Sequence, residues 1–453
     1  MKSFVPITLL ALVAVGCNAG ISGLTPTNPI VPKATHPAFD PEATARQITF
    51  HEERVKNDPT GALGWNLLAE SYASLASERD DDDAAIKAEQ AARKSLSCRR
   101  NRNEAAESLL TKSLLAQHRF HDAYDEVSRA YEATPTNENL RRQRMEIQLE
   151  LGLYDAFRKE LPYLKSKTDP TSLVVRARWE GISGRPAEEV KILRAVVNQI
   201  DAITSLPAST VAWYRMQLGA ALMRAGDYQQ AKVELDRAYD LNPHSYQVCA
   251  WQSRLAAETA SVKDTINWAD KTSKIAKMTD VQGLAAQAYL AEGNQAKASA
   301  LLEQMKKENL KNGQTMDVSA KHTHAKAMNQ TRHTHDRLFA MALANLGQNL
   351  AFAHHAAEED LQNRKDIYAY DTFAWATYRY WKLIPASVTG EGDKVLREAE
   401  QAAEKALSTG SKDPHILYHA GKVFEKSQPD RSAKLLAEAK RISPKIDKLI
   451  VNP

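Results

Sequence analysis

The apolar and small residues of this chain recur at intervals that predict pairs of short amphipathic helices. The clearest unit runs through Leu218, Gly219, Leu222, Gly226, Tyr228, Ala231, Leu235, Ala238 and Pro243. A second stretch repeats these intervals at Leu110, Thr111, Leu114, Phe120, Ala123, Val127, Ala130 and Pro135. Steps of three and four place the apolar residues of each helix on one face. Small residues let two antiparallel helices approach closely, so the pattern predicts helix-turn-helix units that each end at a proline.

The position that anchors the second helix of each unit can be followed through most of the chain. It falls at Ala88, Ala123, Phe157, Val190, Ala231, Thr265, Ala298, Phe352, Ala399 and Ala433. Six of the nine intervals between these anchors lie within one residue of 34. A unit of this length cannot bury its apolar face alone, so neighbouring units must stack into a continuous core. The pattern resembles the tetratricopeptide repeat over roughly residues 50–444.

This resemblance implies an all-α fold, a right-handed superhelical solenoid of about ten antiparallel helix pairs. It divides the chain into an N-terminal array over residues 46–305 and a C-terminal array over residues 333–448. The longer intervals predict a polar, histidine-containing loop at residues 306–332 and an insertion at residues 381–393, and residues 449–453 form a tail. Arrays of this kind offer broad surfaces that bind proteins.

The first residues are typical of a targeting signal. Residues 1–16 combine Lys2 with an apolar stretch too short to span a bilayer, which is typical of a secretory signal. The sequence up to Cys17 resembles the lipobox of bacterial lipoproteins, with Ala14 in place of the usual leucine, and this implies a lipid on Cys17. The alternative is plain secretion. Residues 17–45 are rich in proline and predict an extended tether. Asn18, which is not the aspartate associated with inner-membrane retention, favours the outer membrane, facing the periplasm.

Composition narrows the class of protein. The chain has 69 alanines against 18 glycines and 18 prolines, which favours helices. A formal net charge of +4 over 453 residues does not indicate nucleic acid as a partner. Of the three cysteines, Cys98 and Cys249 are expected to be free thiols. No cofactor is expected.

Histidines are concentrated in the C-terminal part of the chain. One interpretation is a metal site built from His322, His324, His333, His335, His354 and His355. The pair His415 and His419 lies four residues apart, a spacing that also suits metal ligands on a helix. The alternative is structural: Asp413 caps a helix that starts at Pro414, and His419 packs between helices.

Two groups of apolar residues are candidates for protein binding. Trp213, Met216 and Met223 share the face of one helix that lines the concave groove in tetratricopeptide arrays. The alternative is that they pack on neighbouring helices. Trp381, Leu383 and Ile384 fall in the predicted insertion, where they either fold back over the array or anchor a partner.

The leading hypothesis is a non-enzymatic, lipid-anchored scaffold that assembles or recruits other proteins of the bacterial envelope. The first alternative is a periplasmic protein that handles metal through its histidine-rich region. The second alternative is an enzyme. Its site would be an unrecognised one, because the sequence lacks the common metallopeptidase, serine hydrolase and nucleotide-binding motifs. A pocket that gathers titratable residues with shifted pKa values would favour that alternative.

Overall fold

The computed structural model describes residues 36–310, 336–385 and 389–451, and these residues contain helices and connections but no β-strand. Within them, one helix, α1 (Ala43–Asn57), precedes ten helix pairs. Pairs 1 to 5 are α2 (Ala62–Arg79) with α3 (Asp82–Cys98), α4 (Glu104–Ala116) with α5 (Phe120–Ala133), α6 (Glu138–Glu150) with α7 (Tyr154–Lys165), α8 (Pro170–Ile182) with α9 (Pro186–Asp201), and α10 (Ala208–Arg224) with α11 (Tyr228–Leu241).

Pairs 6 to 10 continue the array to its C-terminal end. They are α12 (Tyr246–Glu258) with α13 (Val262–Ser273), α14 (Thr279–Ala291) with α15 (Gln295–Asn309), α16 (Asp336–Leu346) with α17 (Leu350–Asn363), α18 (Ile367–Trp381) with α19 (Thr389–Leu407), and α20 (Pro414–Val423) with α21 (Pro429–Ile442). A 3₁₀ helix follows at Ile446–Leu449. The predicted all-α array of about ten antiparallel helix pairs is confirmed.

Each second helix except α21, the last, packs between the first helix of its own pair and the first helix of the next pair. The anchors Ala88, Ala123 and Ala231 are completely buried at these contacts. The two helices of pair 5 approach so closely that a Cβ atom on Gly219 would lie 2.7 Å from Leu235. Small residues at these positions therefore set the spacing of the array, as the sequence pattern requires.

Three predicted anchors are displaced by one residue from the buried position. At Val190, Phe352 and Ala433 the side chain that is buried belongs to the preceding or following residue: Glu189, Ala353 and Ser432. The predicted insertion at residues 381–393 also differs from the structure. Helix α18 continues through Trp381 and α19 begins at Thr389, so the connection is much shorter than predicted and Trp381 is helical.

Several predicted segments lie outside the described residues. These are the signal at residues 1–16, Cys17, most of the tether, and residues 311–335 of the polar loop. Where the structure does describe their edges, α1 begins at Ala43 and α15 extends to Asn309. None of the described helices has both the length and the apolar character needed to cross a membrane.

The array closes on itself along a seam. We call the connection within a pair a turn and the connection between pairs a junction. The seam consists of the turns at Gly152, Gly184 and Gly226, which lie against residues 365, 410 and 442. Two of these contacts are hydrogen bonds: the Lys365 amide donates to the Leu151 carbonyl at 3.2 Å, and the Thr409 hydroxyl donates to the Ile182 carbonyl at 2.7 Å.

Glycine is required at the seam for two reasons. The three turn glycines have φ of +72°, +78° and +82°, a region that other residues rarely adopt. They also have no room for a side chain, because a Cβ atom on Gly226 would lie 2.9 Å from the Ile442 carbonyl oxygen. The first helices of pairs 3 to 10 line a common interior space.

Candidate binding chamber

The interior space is a chamber of about 580 Å³, which is within the size range of small-molecule sites. The first helix of every pair from 3 to 10 contributes to its wall. Each of these helices contributes at least one polar or charged residue. In chain order, these include Glu150, Arg178, Arg224, Glu258, Asp280, Arg337, Tyr368 and His415. Because the wall combines helices from distant parts of the chain, the chamber depends on closure of the seam.

Ion pairs join neighbouring helices around the wall. Arg178 Nη1 lies 2.7 Å from Glu150 Oε1, and Arg254 contacts Asp280 Oδ2 through both Nε and Nη2, at 2.9 and 2.6 Å. A third pair joins Arg224 to Glu189 at 2.5 Å. Glu189 is on α9, and its carboxylate occupies space left by Gly181, since a Cβ atom there would overlap it.

The carboxyl group of Glu150 is held in its charged form. Burial alone raises the pKa of Glu150, but the guanidinium groups of Arg178, Arg364 and Arg337 outweigh that effect and lower the pKa to about 2. Glu150 is the last residue of α6, where the helix dipole disfavours a negative charge. The surrounding arginines supply the compensating charge.

His415 and Glu258 join pair 10 to pair 6 by a direct contact in the chamber wall. His415 Nε2 lies 2.5 Å from Glu258 Oε1, and the Ser443 hydroxyl donates to Glu258 Oε2 at 2.6 Å. Burial lowers the pKa of His415, but the Glu258 carboxylate more than compensates and raises the pKa to about 9. In turn, burial raises the pKa of Glu258, and His415 with its other hydrogen-bond partners brings it below its ordinary value. Both groups are therefore charged at neutral pH.

His419 lies deeper in the wall. Its ring stacks on Trp375 at 4.4 Å between centroids, and its Nδ1 lies 3.0 Å from Asp371 Oδ2. Asp413 caps the helix by accepting from the His415 amide, and Pro414 is in the first turn. Each of the two histidines thus has a carboxylate partner on another pair.

The shifts in pKa favour binding over proton transfer. A general acid or base works best with a pKa near the working pH. In the chamber, by contrast, the pKa of Glu150 moves down, that of His415 moves up, and those of Arg178 and Arg224 also rise, mainly because of their carboxylate partners, which outweigh burial. The chamber thus gathers titratable residues with shifted pKa values, and these four groups are held in their charged forms at neutral pH, which suits binding of a charged ligand.

The structure separates the three predicted residues of α10. Met216 and Met223 are buried, and Met223 lines the chamber. Trp213 is 38% exposed and makes an edge contact with Tyr214. It is four residues before the chamber residue Gln217, so it lies one helical turn further along the same face. Trp213 is therefore placed near the rim of the chamber.

Trp381, Leu383 and Ile384 lie together at the end of α18, with different exposures. Trp381 is half-buried against the core, beside Tyr378, and its ring lies 3.7 Å from the Cβ position of Gly392, as does Ile384. Leu383 is 54% exposed. Packing therefore accounts for Trp381 and Ile384, while Leu383 is available to solvent.

The histidines predicted as metal ligands are only partly within the described residues. His322, His324, His333 and His335 lie outside them. His354 stacks on Tyr380 and its Nδ1 lies 2.8 Å from the Thr377 hydroxyl, whereas His355 lies beside Glu358 and Glu359. In the part of the chain that the structure describes, no three His, Cys, Asp or Glu side chains are grouped as metal ligands would be.

Comparison with known proteins gives similarity to solved structures only. No protein-family model matches the chain, and no curated protein matches it. One similar structure is PilW, a type IV pilus biogenesis factor, with 18% identity, a TM-score of 0.37, and coverage of 46% of this chain and 94% of that chain. Another is the APC/C hetero-tetramer Cut9-Hcn1, with 12% identity, a TM-score of 0.34, and coverage of 90% and 93%. A third is Naa15/Naa10 bound to HypK-THB, with 12% identity, a TM-score of 0.27, and coverage of 90% and 62%.

Proposed function

We propose that the protein is a non-enzymatic scaffold that binds other proteins on the periplasmic side of a bacterial envelope. A lipid on Cys17 holds it at the outer membrane, and the proline-rich tether sets its reach. The resemblance of residues 1–17 to a lipoprotein signal supports the location. The partners are other envelope proteins or peptides, which the scaffold assembles or recruits.

The observation that carries the binding role is the exposure of large apolar side chains on the helical array. Trp213 is exposed on a first helix near the chamber rim, and Leu383 is exposed at the end of α18. Tryptophan in particular is enriched among the residues that dominate the energy of protein interfaces. Because the seam encloses the concave side of pairs 3 to 10, a protein partner contacts the rim and the outer surface.

Site-specific photocrosslinking in intact cells tests this proposal. Benzoylphenylalanine replaces Trp213 or Leu383, and the matched controls carry it at Gln229 or Lys263, which are exposed polar residues on helices of the same array. We expect the same envelope protein to crosslink at position 213 or 383 and not at the controls. Equal crosslinking at all four positions, or none at positions 213 and 383, contradicts the proposed surface.

The anchor has its own test. In a Cys17→Ser variant the acceptor of the lipid is lost, so the protein is expected in the soluble periplasmic fraction. A variant that stays with the membrane refutes the lipid anchor, whether or not the partner surface is correct.

A further inference from the structure

The cations of the chamber ion pairs are more accessible to water than their carboxylate partners. The side chain of Arg224 is 27% exposed and that of Glu189 only 3%. For Arg337 and Asp366 the values are 24% and 4%, and for His415 and Glu258 they are 41% and 9%. The pairs Arg178–Glu150 and Arg254–Asp280 are more evenly exposed. In these three pairs the cation is thus the partner that water reaches more easily, although the wall also carries the carboxylates of Glu150, Asp280, Asp371 and Asp413.

This arrangement prepares the cations for an anionic ligand. A carboxylate behind a guanidinium fixes its orientation and leaves its other N–H groups directed away from the pair. Arg224, for example, contacts Glu189 through Nε and Nη2, and Arg178 contacts Glu150 through Nη1. The planar guanidinium matches the oxygen atoms of carboxylate and phosphate groups.

Tyr368 adds a third hydrogen-bond donor to the wall of the chamber. Burial raises the pKa of Tyr368, the Asp413 and Glu189 carboxylates raise it further, and the guanidinium groups of Arg224 and Arg178 act against that rise. Tyr368, Arg224 and Arg178 all line the chamber. Among the described residues the Tyr368 hydroxyl takes part in no hydrogen bond, so it is available to a ligand.

Apolar side chains contribute a further part of the wall. Trp251, Leu193 and Met341 line the chamber, and the guanidinium of Arg254 lies 4.7 Å from the Trp251 ring. We propose that the chamber binds a small organic anion. Its carboxylate or phosphate group is bound by Arg178, Arg224 and Tyr368, and its apolar or aromatic part packs on Trp251, Leu193 and Met341. The seam and the volume of about 580 Å³ favour a small molecule over an extended peptide.

Isothermal titration calorimetry on the full chain tests the proposal with three single-ring probes. Phenyl phosphate and benzoate distinguish the two anionic groups, and benzylamine is a cation of similar size. We expect at least one of the anions to bind with a dissociation constant below about 1 mM, and benzylamine not to bind. Absence of binding by both anions, or equal binding of benzylamine, overturns the proposal.

Three variants locate the site. Tyr368→Phe removes a hydroxyl without a partner among the described residues, so the melting temperature should stay unchanged while the anion binds about three- to tenfold more weakly. Arg224→Gln should weaken binding at least about tenfold. The control is Arg215→Gln on the same helix: Arg215 is paired with Glu234 and Asp201 away from the chamber, so binding should equal that of the parent chain.

Two results contradict the assignment. The first is binding by Tyr368→Phe and Arg224→Gln that equals the parent. The second is tighter binding of a pentaglutamate peptide than of either single-ring anion, which would assign the chamber to a protein segment. Because Tyr368→Phe is not expected to affect folding, a folding defect in Arg224→Gln does not remove the test.

Discussion

The backbone of Gly184 lies against the carbonyl of Gly410, so closely that a methyl group on Gly184 would overlap the Gly410 oxygen. Gly184 is in the turn of pair 4, and Gly410 is in the junction between pairs 9 and 10. This contact joins parts of the chain more than 200 residues apart. Together with the contacts of Gly152 and Gly226, it turns an array of helix pairs into a closed wall.

Adding a methyl group to a glycine at the seam should therefore lower the free energy of unfolding more than adding one to a turn glycine that has no neighbour. Gly293 has a similar φ of +76°, but a Cβ atom there meets nothing within 4 Å. Gly293→Ala is expected to cost only the strain of the left-handed backbone, about 1–2 kcal/mol. Gly184→Ala adds overpacking of about 1–3 kcal/mol. Thermal melting of both variants measures the difference, and equal melting temperatures would mean that the seam is not closed.

The His415–Glu258 pair predicts a decrease in stability at alkaline pH. The pKa of His415 is about 9 in the folded protein and 6.5 ordinarily, so the stabilisation is fully present below about pH 6.5 and is lost as the pH rises through 9. Glu258 and, more weakly, Asp413 and Asp371 are the groups that raise this pKa. Because water reaches the His415 side chain, we expect an effect of about 1–2 kcal/mol.

Urea unfolding at pH 6, 7.5 and 9 measures that effect. The parent chain should lose more stability over this range than His415→Gln, which cannot carry the charge. At acidic pH the other partner of the pair titrates. The pKa of Glu258 is lowered, so the stabilisation that its carboxylate contributes is lost only as the pH falls below about 4.5. Identical pH profiles for the parent and His415→Gln would contradict the proposed ion pair.

Glu189 and Arg224 predict a non-additive pair of substitutions. Glu189→Ala leaves Arg224 without its carboxylate, and Arg224→Met leaves a buried carboxylate without its cation, so each single change should cost about 3–5 kcal/mol. The double variant leaves neither charge uncompensated, and an alanine at 189 matches the small residues at most other anchors. We expect the double variant to be more stable than either single variant. Additive losses of stability in this double-mutant cycle would argue against the pairing.

The two cysteines on the described helices should differ in reactivity. Cys249 is buried, and burial raises the pKa of its thiol to about 11, whereas Cys98 is half-buried. Only a thiolate reacts rapidly with a maleimide or iodoacetamide. In the folded protein, mass spectrometry should find the label on Cys98 and not on Cys249, and both should react in urea. Rapid labelling of Cys249 without denaturant would contradict its burial.

The helix pairs could be predicted because their determinants are local. Each pair needs small residues at its close contacts, and these recur in the sequence near every 34 residues. The register of the pattern differs from the structure by one residue where a charged residue takes the place of the small one. At pair 4 the pattern selects Val190, yet the buried residue is Glu189, because Gly181 leaves space for its carboxylate and Arg224 neutralises it.

The chamber could not be predicted, because its determinants are distant in sequence. Arg178, Arg224 and Glu258 look like the solvated faces of helices until the array closes, and Glu258 meets His415 only through that closure. One signal was available. Glu150 and Glu258 each end a helix, where the dipole disfavours a carboxylate, so each requires a nearby cation. The turn glycines likewise mark sites of close approach only once their neighbours are known.

Hydrogen exchange at single-residue resolution tests the central claim, closure of the array, most directly. The amides of Lys365 and Ile367 lie in or next to a junction, and their acceptors are on pair 3: the Leu151 carbonyl and the Tyr154 hydroxyl, at 3.2 and 3.0 Å. We predict that both amides exchange slowly in the parent chain and rapidly in Gly152→Ala, where the methyl group separates pair 3 from the junction. Exchange of both amides in the parent chain at the rate of an unstructured peptide would contradict the closed array and, with it, the chamber.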